Sequence, residues 1–335
     1  MNSLKKWAAA TVLVTGATGF FGGWLVRSLV DRGARVVTVV RSHKKESQFS
    51  LAGFDERVQI EWGSVYDPRF LEDVFRRHKP DCFFHAAYGA DVNRALNEPL
   101  ECFRSSVEST WVALDAIRRS DTPTVSIIVS SDKAYGSQPL PYLESHALTP
   151  VHPYEVAKAS LDLIAQSYGK VYGLPVAVTR CGNFFGPFDF NFTRLVPGVV
   201  RSLESNEAPV LRSDGKFTRD FLYVEDAAEA HLALAEELGR NEHLNGEAFN
   251  FSYGMQIEVV DIVRRIIGIS GSKIEPITTD AVQAEIRHMH LSSDKARRWL
   301  GWRPRIGFDE GLRRTVAWYQ SHFREQGQVS AGTKA

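Results

Sequence analysis

The chain is poor in cysteine, in net charge and in long apolar runs. Its 335 residues include three cysteines, Cys82, Cys102 and Cys181. They are widely spaced, odd in number and contain no CxxC pair. Neither a disulfide framework nor a metal site is expected, and each reads as a small buried hydrophobe. Forty basic side chains meet forty acidic ones, for a formal charge of zero. Without a global basic field, nucleic acid is not an expected partner. No apolar run approaches the roughly 20 residues of a membrane helix, so no membrane partner is expected. Met1 to Ala10 offers only Trp7-Ala-Ala-Ala after Lys5 and Lys6. That is too little apolar chain for a secretory signal, and the expected location is the cytosol. Internal repeats and low-complexity tracts are also missing.

A composition of 44% hydrophobic and 11% aromatic residues excludes disorder. The first half alternates two kinds of segment. Short β-branched runs fall at Thr11–Thr15, Arg35–Val40, Val58–Trp62, Asp81–Ala87, Val125–Ser130 and Val176–Thr179. Amphipathic stretches separate them: Trp24–Asp31, Pro68–His78, Pro99–Arg119 and Tyr154–Tyr172. Pro68 suits a first helical turn, and Gly33 and Gly173 suit helix C-caps. Buried strands alternating with helices predict a parallel sheet covered on both faces, a doubly wound α/β fold. After Gly182 the rhythm breaks into mixed short elements. The expected division is a dinucleotide-binding domain over 1–182, a smaller mixed α/β substrate lobe over 183–325, and a flexible tail over 326–335.

Thr15-Gly16-Ala-Thr-Gly19-Phe-Phe-Gly22 follows the first strand and opens the first helix. Glycines at this spacing allow a tight turn, a close approach of backbone to a pyrophosphate, and close helix–strand packing. A turn serving packing alone is the alternative. At the end of the second strand an acid would hold the ribose 2′-hydroxyl of NAD, and an arginine would accommodate the 2′-phosphate of NADP. Here the residues are Arg41-Ser42-His43-Lys44-Lys45. The electrostatics lean toward NADP; a solvated basic loop is the alternative.

Tyr154-Glu-Val-Ala-Lys158 places a tyrosine and a lysine on one helix face, and of ten tyrosines only Tyr154 has a lysine at that offset. The ammonium is expected to lower the phenol's pKa and make it a general base for an alcohol. The fifth strand runs greasy to Ile128-Val129, then stops in Ser130-Ser131-Asp132-Lys133. Four polar residues there must face a cavity or water. Neighbouring residues point to opposite faces, so Ser130 and Ser131 cannot both serve one site.

Together these motifs resemble the extended short-chain dehydrogenase/reductases that act on nucleotide sugars. The resemblance continues in Arg180-Cys-Gly-Asn183-Phe-Phe-Gly186-Pro187, in Arg219-Asp-Phe-Leu-Tyr223-Val-Glu-Asp226 and in Ser293-Asp-Lys295 through Leu300-Gly301-Trp302-Arg-Pro304. It covers almost the whole chain in order. It implies a Rossmann fold, a bound nicotinamide cofactor (NAD, with NADP allowed by Arg41), a nucleotide-diphosphate sugar as substrate, and a homodimer built on the helices Pro99–Arg119 and Tyr154–Tyr172. It nominates Gly16, Gly19, Phe20, Phe21, Gly22, Arg41, Ser64, Val65, Ala86, Ala87, Tyr154 and Lys158 for the cofactor. For the substrate it nominates Asn183, Arg194, Leu195, Arg219 and Arg287.

Ser131-Asp132-Lys133 is most similar to the S/T-D-K of CDP-glucose 4,6-dehydratases, where dTDP-glucose dehydratases carry TDE and epimerases carry small residues. Thr193-Arg-Leu195-Val-Pro197 is shared with the nucleotide-contacting segment of the same group. The chemistry agrees. Removing water across C5–C6 after oxidation at C4 needs a base and an acid, and an epimerase needs neither. Tyr154 would deprotonate the 4-hydroxyl, Ser131 orient it, Lys133 take the C5 proton with a depressed pKa, and Asp132 protonate the departing hydroxyl. A strand-end ion pair is the alternative for Asp132 and Lys133. A 4-epimerase or reductase, or an idle nucleotide-binding protein, are the competing functions. The pattern is broken around the cofactor. Ser106 stands for the usual asparagine, Ser109 for a glycine, Ser64 for an acid, and the fourth-strand loop reads His85-Ala-Ala-Tyr88-Gly89.

Overall fold

The computed structural model describes residues 6–89, 92–279 and 286–332, with side chains as far as residue 326. Part of the N-terminal stretch read for a signal (1–5) and the end of the expected tail (333–335) lie outside the described residues.

Six strands follow the first-half rhythm: β1 (Thr11–Thr15), β2 (Arg35–Val40), β3 (Gln59–Trp62), β4 (Cys82–His85), β5 (Val125–Val129) and β6 (Val176–Cys181). They form one parallel sheet in the order β6-β5-β4-β1-β2-β3. A seventh strand, Ala248–Phe251, pairs parallel with β6 and extends the edge. Thus the sheet takes a strand from beyond Gly182. No sequence expectation covered it, because it lies among segments whose rhythm is irregular.

Alternation along each strand separates two cores. Val12 and Val14, Phe84, Ile127, Ala177 and Phe249 pack on one face with the helices Phe20–Asp31 and Val224–Leu238. Leu13, Phe83, Ile128 and Val178 pack on the other with Pro68–His78, Ser109–Arg119 and Pro153–Tyr172. Both faces are therefore covered, as a doubly wound sheet requires. A third core serves the C-terminal lobe, where Val196, Val200, Ile262, Val263, Leu312 and Val316 meet between the helices Leu195–Glu204, Val259–Ser270 and Phe308–Gly332. Among the described residues no helix is long and apolar enough to cross a membrane. All three cysteines are buried and unbridged.

Local signals set the helix ends. Asp67 caps Pro68–His78, its Oδ1 accepting from the Arg69 and Phe70 amides at 3.0 and 3.2 Å. Helix Pro153–Tyr172 begins in a capping box of His152 and Glu155 and stops at Gly173, whose φ is 66°. Pro99–Arg119 is not one regular helix. A π-turn at Arg104–Glu108 divides it. The hydroxyls of Ser109 and Thr110 donate to the carbonyls of Ser105 (2.7 Å) and Ser106 (2.6 Å), and this competition loosens the ladder.

Candidate active site

The glycine loop leaves β1 with Gly16 at φ 79°, a left-handed value that favours glycine. A Cβ at Gly16 would collide with the Ala86 carbonyl, and one at Gly22 would collide with the Gly16 carbonyl. Gly19 caps the Phe20–Asp31 helix, its amide donating to Gly16 O at 2.9 Å. Beside the loop opens a cleft of about 570 Å³, lined by Gly16, Gly19, Arg41, Val65, Ala86 and Ala87 among others. A Cβ-free turn beneath a helix N-terminus, opening on a cleft of this volume, fits the diphosphate of a dinucleotide.

Other residues nominated for the cofactor stand back from the cleft. The Phe21 ring packs into the core against Phe184 (4.7 Å) and His231 (4.6 Å). The Phe20 ring faces the Arg194 guanidinium at 5.9 Å. At the helix start these two residues offer the cleft backbone amides rather than their rings. Ser64 turns its hydroxyl to accept from the Tyr66 amide at 3.2 Å. Tyr66, which the sequence reading missed, lines the cleft, and the guanidinium groups of Arg41 and Arg104 lie over its ring at 5.6 and 5.8 Å. Cys102 and Ser105 also line the cleft, brought there by the segment beside the π-turn.

At the end of β5 the two serines diverge, as alternation requires. Ser130 Oγ donates to the Lys158 carbonyl at 3.1 Å and is spent on structure. Ser131 caps the short 3-10 turn Asp132–Tyr135, accepting from the Lys133 amide at 3.2 Å and donating to Asp132 Oδ1 at 2.9 Å. Asp132 is buried, and among the described residues its Oδ2 has no hydrogen-bond partner. Burial pushes this carboxyl up, against the opposing pull of Lys133, Ser131 and Arg219.

Tyr154 and Lys158 are both buried. Against expectation, Tyr154 is pushed up to about 12, first by burial and then by the Asp132 charge. The ammonium expected to lower it lies 6.0 Å from the phenol ring centroid and is itself pressed down to about 7 by burial. Desolvation outweighs a single nearby charge. Lys158 Nζ donates to the Val129 carbonyl at 3.1 Å and sits 3.9 Å from the Tyr88 ring centroid.

The residues expected at the substrate fall into two groups, with Asn183 apart. Arg194 pairs with Asp189 at 3.0 Å and lies near enough to Tyr154 to pull its pKa downward; Leu195 begins the next helix. Arg219 Nη1 donates to the Arg287 carbonyl at 3.1 Å, and the two guanidinium groups lie over the Phe217 ring at 5.5 and 5.6 Å. Asn183 is turned to structure, its Nδ2 donating to the Asp220 carbonyl at 3.1 Å. Asp220 is fully buried and pushed up to about 7 by burial, its carboxylate accepting from the amides of Phe221, Met255 and Leu291. It ties the Arg219 strand to two distant loops; its only sequence signal was its place beside Arg219.

A parallel sheet, a glycine loop, and a half-buried serine beside a buried tyrosine and lysine at the carboxyl edge define a dinucleotide-dependent Rossmann enzyme. The model of the NAD dependent epimerase/dehydratase family matches residues 12–250, and the chain belongs to that family. It is 30% identical over 347 residues to a dTDP-glucose 4,6-dehydratase of Shigella flexneri, covering 96% of both chains. Among solved structures it resembles a dTDP-glucose 4,6-dehydratase of Streptomyces venezuelae with NAD bound (26% identity, TM-score 0.82, 93% and 97% covered). It also resembles a UDP-glucose 4-epimerase of Thermotoga maritima with UDP-glucose (25% identity, TM-score 0.83, 93% and 99% covered).

Proposed function

We propose that the chain is a nucleotide-hexose 4,6-dehydratase, and that its substrate is CDP-glucose or a close analogue. The observation that carries this reading is Asp132: a buried carboxyl with one oxygen unpartnered among the described residues, its pKa raised by burial, bonded to Ser131. Burial makes this carboxyl easier to protonate than a free one, and the departing hydroxyl needs a proton donor where 4-epimerisation has no leaving group.

The bound dinucleotide supplies the chemistry of hydride removal from C4 and its return at C6. The chain's residues move the protons. Tyr154 takes the proton of the 4-hydroxyl, which Ser131 orients. Lys133 takes the proton from C5, Asp132 gives its proton to the hydroxyl leaving C6 so that one water departs, and Lys133 returns its proton to C5 as hydride is added at C6. Arg194 with Leu195 holds the nucleotide end, and Arg219 with Arg287 meets the diphosphate.

The CDP assignment rests on Ser131-Asp132-Lys133 and Thr193-Arg-Leu195-Val-Pro197. The relatives named above act, by name, on dTDP-glucose or UDP-glucose. Incubating the purified protein with CDP-, dTDP- and UDP-hexoses and reading product masses tests both levels. Loss of one water from CDP-glucose, without added cofactor, is expected. Loss from dTDP-glucose instead corrects the nucleotide. An unchanged mass with a new stereoisomer overturns dehydration in favour of epimerisation.

For the cofactor, Arg41, Ser42, His43 and Lys44 all line the cleft, and no acid stands at the end of β2. This favours acceptance of a 2′-phosphate, and NADPH is expected to bind at least as tightly as NADH in a fluorescence titration. A homodimer agrees with large apolar side chains exposed on two adjacent helices, Trp111 on one and Leu163, Val171 and Tyr172 on the other. Sedimentation at micromolar concentration tests it.

A further inference from the structure

The fourth-strand loop brings a tyrosine against the catalytic lysine. Lys158 Nζ is 3.9 Å from the Tyr88 ring centroid, closer than to the ring of its motif partner Tyr154 at 6.0 Å. Tyr88 also lines the cofactor cleft. Its hydroxyl is buried beside the Thr110 side chain. Its ring stands edge-to-face on His85, at 4.8 Å between centroids.

We propose that Tyr88 is a positioning residue for Lys158, whose ring face holds the ammonium in its charged form beneath the cofactor cleft.

The surroundings leave few other candidates for that task. Facing Lys158 are Cys102 from the helix Pro99–Phe103, Cys181 from β6, His85 from β4, and Tyr154 and Asp162 on its own helix. Asp162 is bound through both oxygens to Arg180, at 2.7 and 2.9 Å. His85 is kept neutral, pushed down to about 3 by burial and by Lys158 itself. Burial pushes both thiols up, so they stay uncharged at neutral pH. Among the described residues the Val129 carbonyl and the Tyr88 face lie directly against the ammonium, with the Arg180-bound Asp162 acting from farther off, and a desolvated aromatic face attracts a cation more strongly than an exposed one does.

The test needs no substrate, so it stands or falls apart from the dehydratase reading. Full-length protein labelled with 13C-lysine is titrated by NMR, with the Lys158 signal assigned by its loss in Lys158→Arg. Tyr88→Leu removes the ring and should lower the Lys158 titration midpoint by about one pH unit. Tyr88→Phe keeps the ring face, and its midpoint should stay within about 0.3 unit of the parent. Melting curves of both variants establish that each is folded. An unmoved midpoint in Tyr88→Leu overturns the proposal. An equal drop in Tyr88→Phe also overturns it, since the hydroxyl rather than the ring would then be the agent.

Discussion

The glycine loop after β1 and the turn after β5 leave the same edge of one sheet, yet they are held in opposite ways. At the loop the backbone touches itself: Gly16 lies against Ala86, and Gly22 against Gly16. Its shape follows from side chains that are missing. At the turn Asp132–Tyr135, side chains from remote segments do the holding. Tyr135 donates its hydroxyl to Asn250 Oδ1 at 2.8 Å and accepts from Arg180 at 3.0 Å. Arg180 is bound to Asp162, and Tyr142 donates to the Gly136 carbonyl at 2.8 Å. The difference separates two tasks. A diphosphate needs room and amides. A turn that presents polar side chains in a low dielectric needs a fixed shape, and the connected hydrogen bonds behind it supply that.

If that contrast is right, breaking the chemistry, the network and the loop should give separable losses. The largest is chemical. Tyr154→Phe removes the proton acceptor, and the rate of substrate oxidation should fall by about 10³-fold while nucleotide affinity stays within a few-fold. Stopped-flow absorbance of the reduced dinucleotide reads the first, and a fluorescence titration the second. Next comes the network. Arg180→Met leaves Asp162 buried without its counter-charge, still bonded to Gln166, which should cost on the order of 3–5 kcal/mol in urea unfolding. If this variant unfolds like the parent, the network is not what fixes the turn.

The same contrast explains what could be read from the sequence. β1 and β2 fall at the expected limits because alternation and a following glycine are local signals. The glycine loop was legible for that reason too. The grouping of Ser131, Tyr154 and Lys158 was legible as a spacing, but the charge states of Tyr154 and Lys158 were not. Burial sets those, and burial is a property of the whole fold: it raised Tyr154 where one nearby ammonium argued for lowering it. The strand Ala248–Phe251 was missed because its evidence is its pairing with β6, about seventy residues earlier. Tyr66 and Tyr88 belong to no motif, and only the closing of the cleft by the segment around the π-turn shows what they face.

A smaller loss tests the loop. In Gly16→Ala the new Cβ meets the Ala86 carbonyl and the residue keeps a left-handed φ. Stability should fall by about 1–2 kcal/mol, while nucleotide affinity should fall about tenfold or more, because the turn must move where the diphosphate lies. Equal losses in Tyr154→Phe and Gly16→Ala on both readouts would erase the distinction between the two regions.

The smallest effect tests the seam between them, where His85 ends β4 behind both. It is fully buried, with Nδ1 at 2.7 Å from Thr15 Oγ1 and Nε2 at 3.0 Å from Ser109 Oγ. Ser109 gives its own proton to the Ser105 carbonyl, so Nε2 carries the imidazole proton and Nδ1 accepts from Thr15. Protonating Nδ1 would set two donors against each other, and burial adds to that cost; the folded pKa is pressed down to about 3. The unfolded chain takes up this proton from about pH 6.5 downward, and the folded chain does not until about pH 3. The stability due to the neutral ring is therefore complete above pH 6.5 and is lost progressively as the pH falls toward 3. Between pH 6.5 and 5.5 the loss should be about 1 kcal/mol. His85→Gln keeps a donor and an acceptor without titrating, so it should be somewhat less stable at pH 8 but flatter over that interval. His231, likewise pressed down to about 4 by burial, titrates in both proteins, so the difference between the two curves isolates His85. Parallel curves from pH 8 to 5 would mean that the imidazole is not the neutral link between the Thr15 end of the loop strand and the helix that carries Ser109.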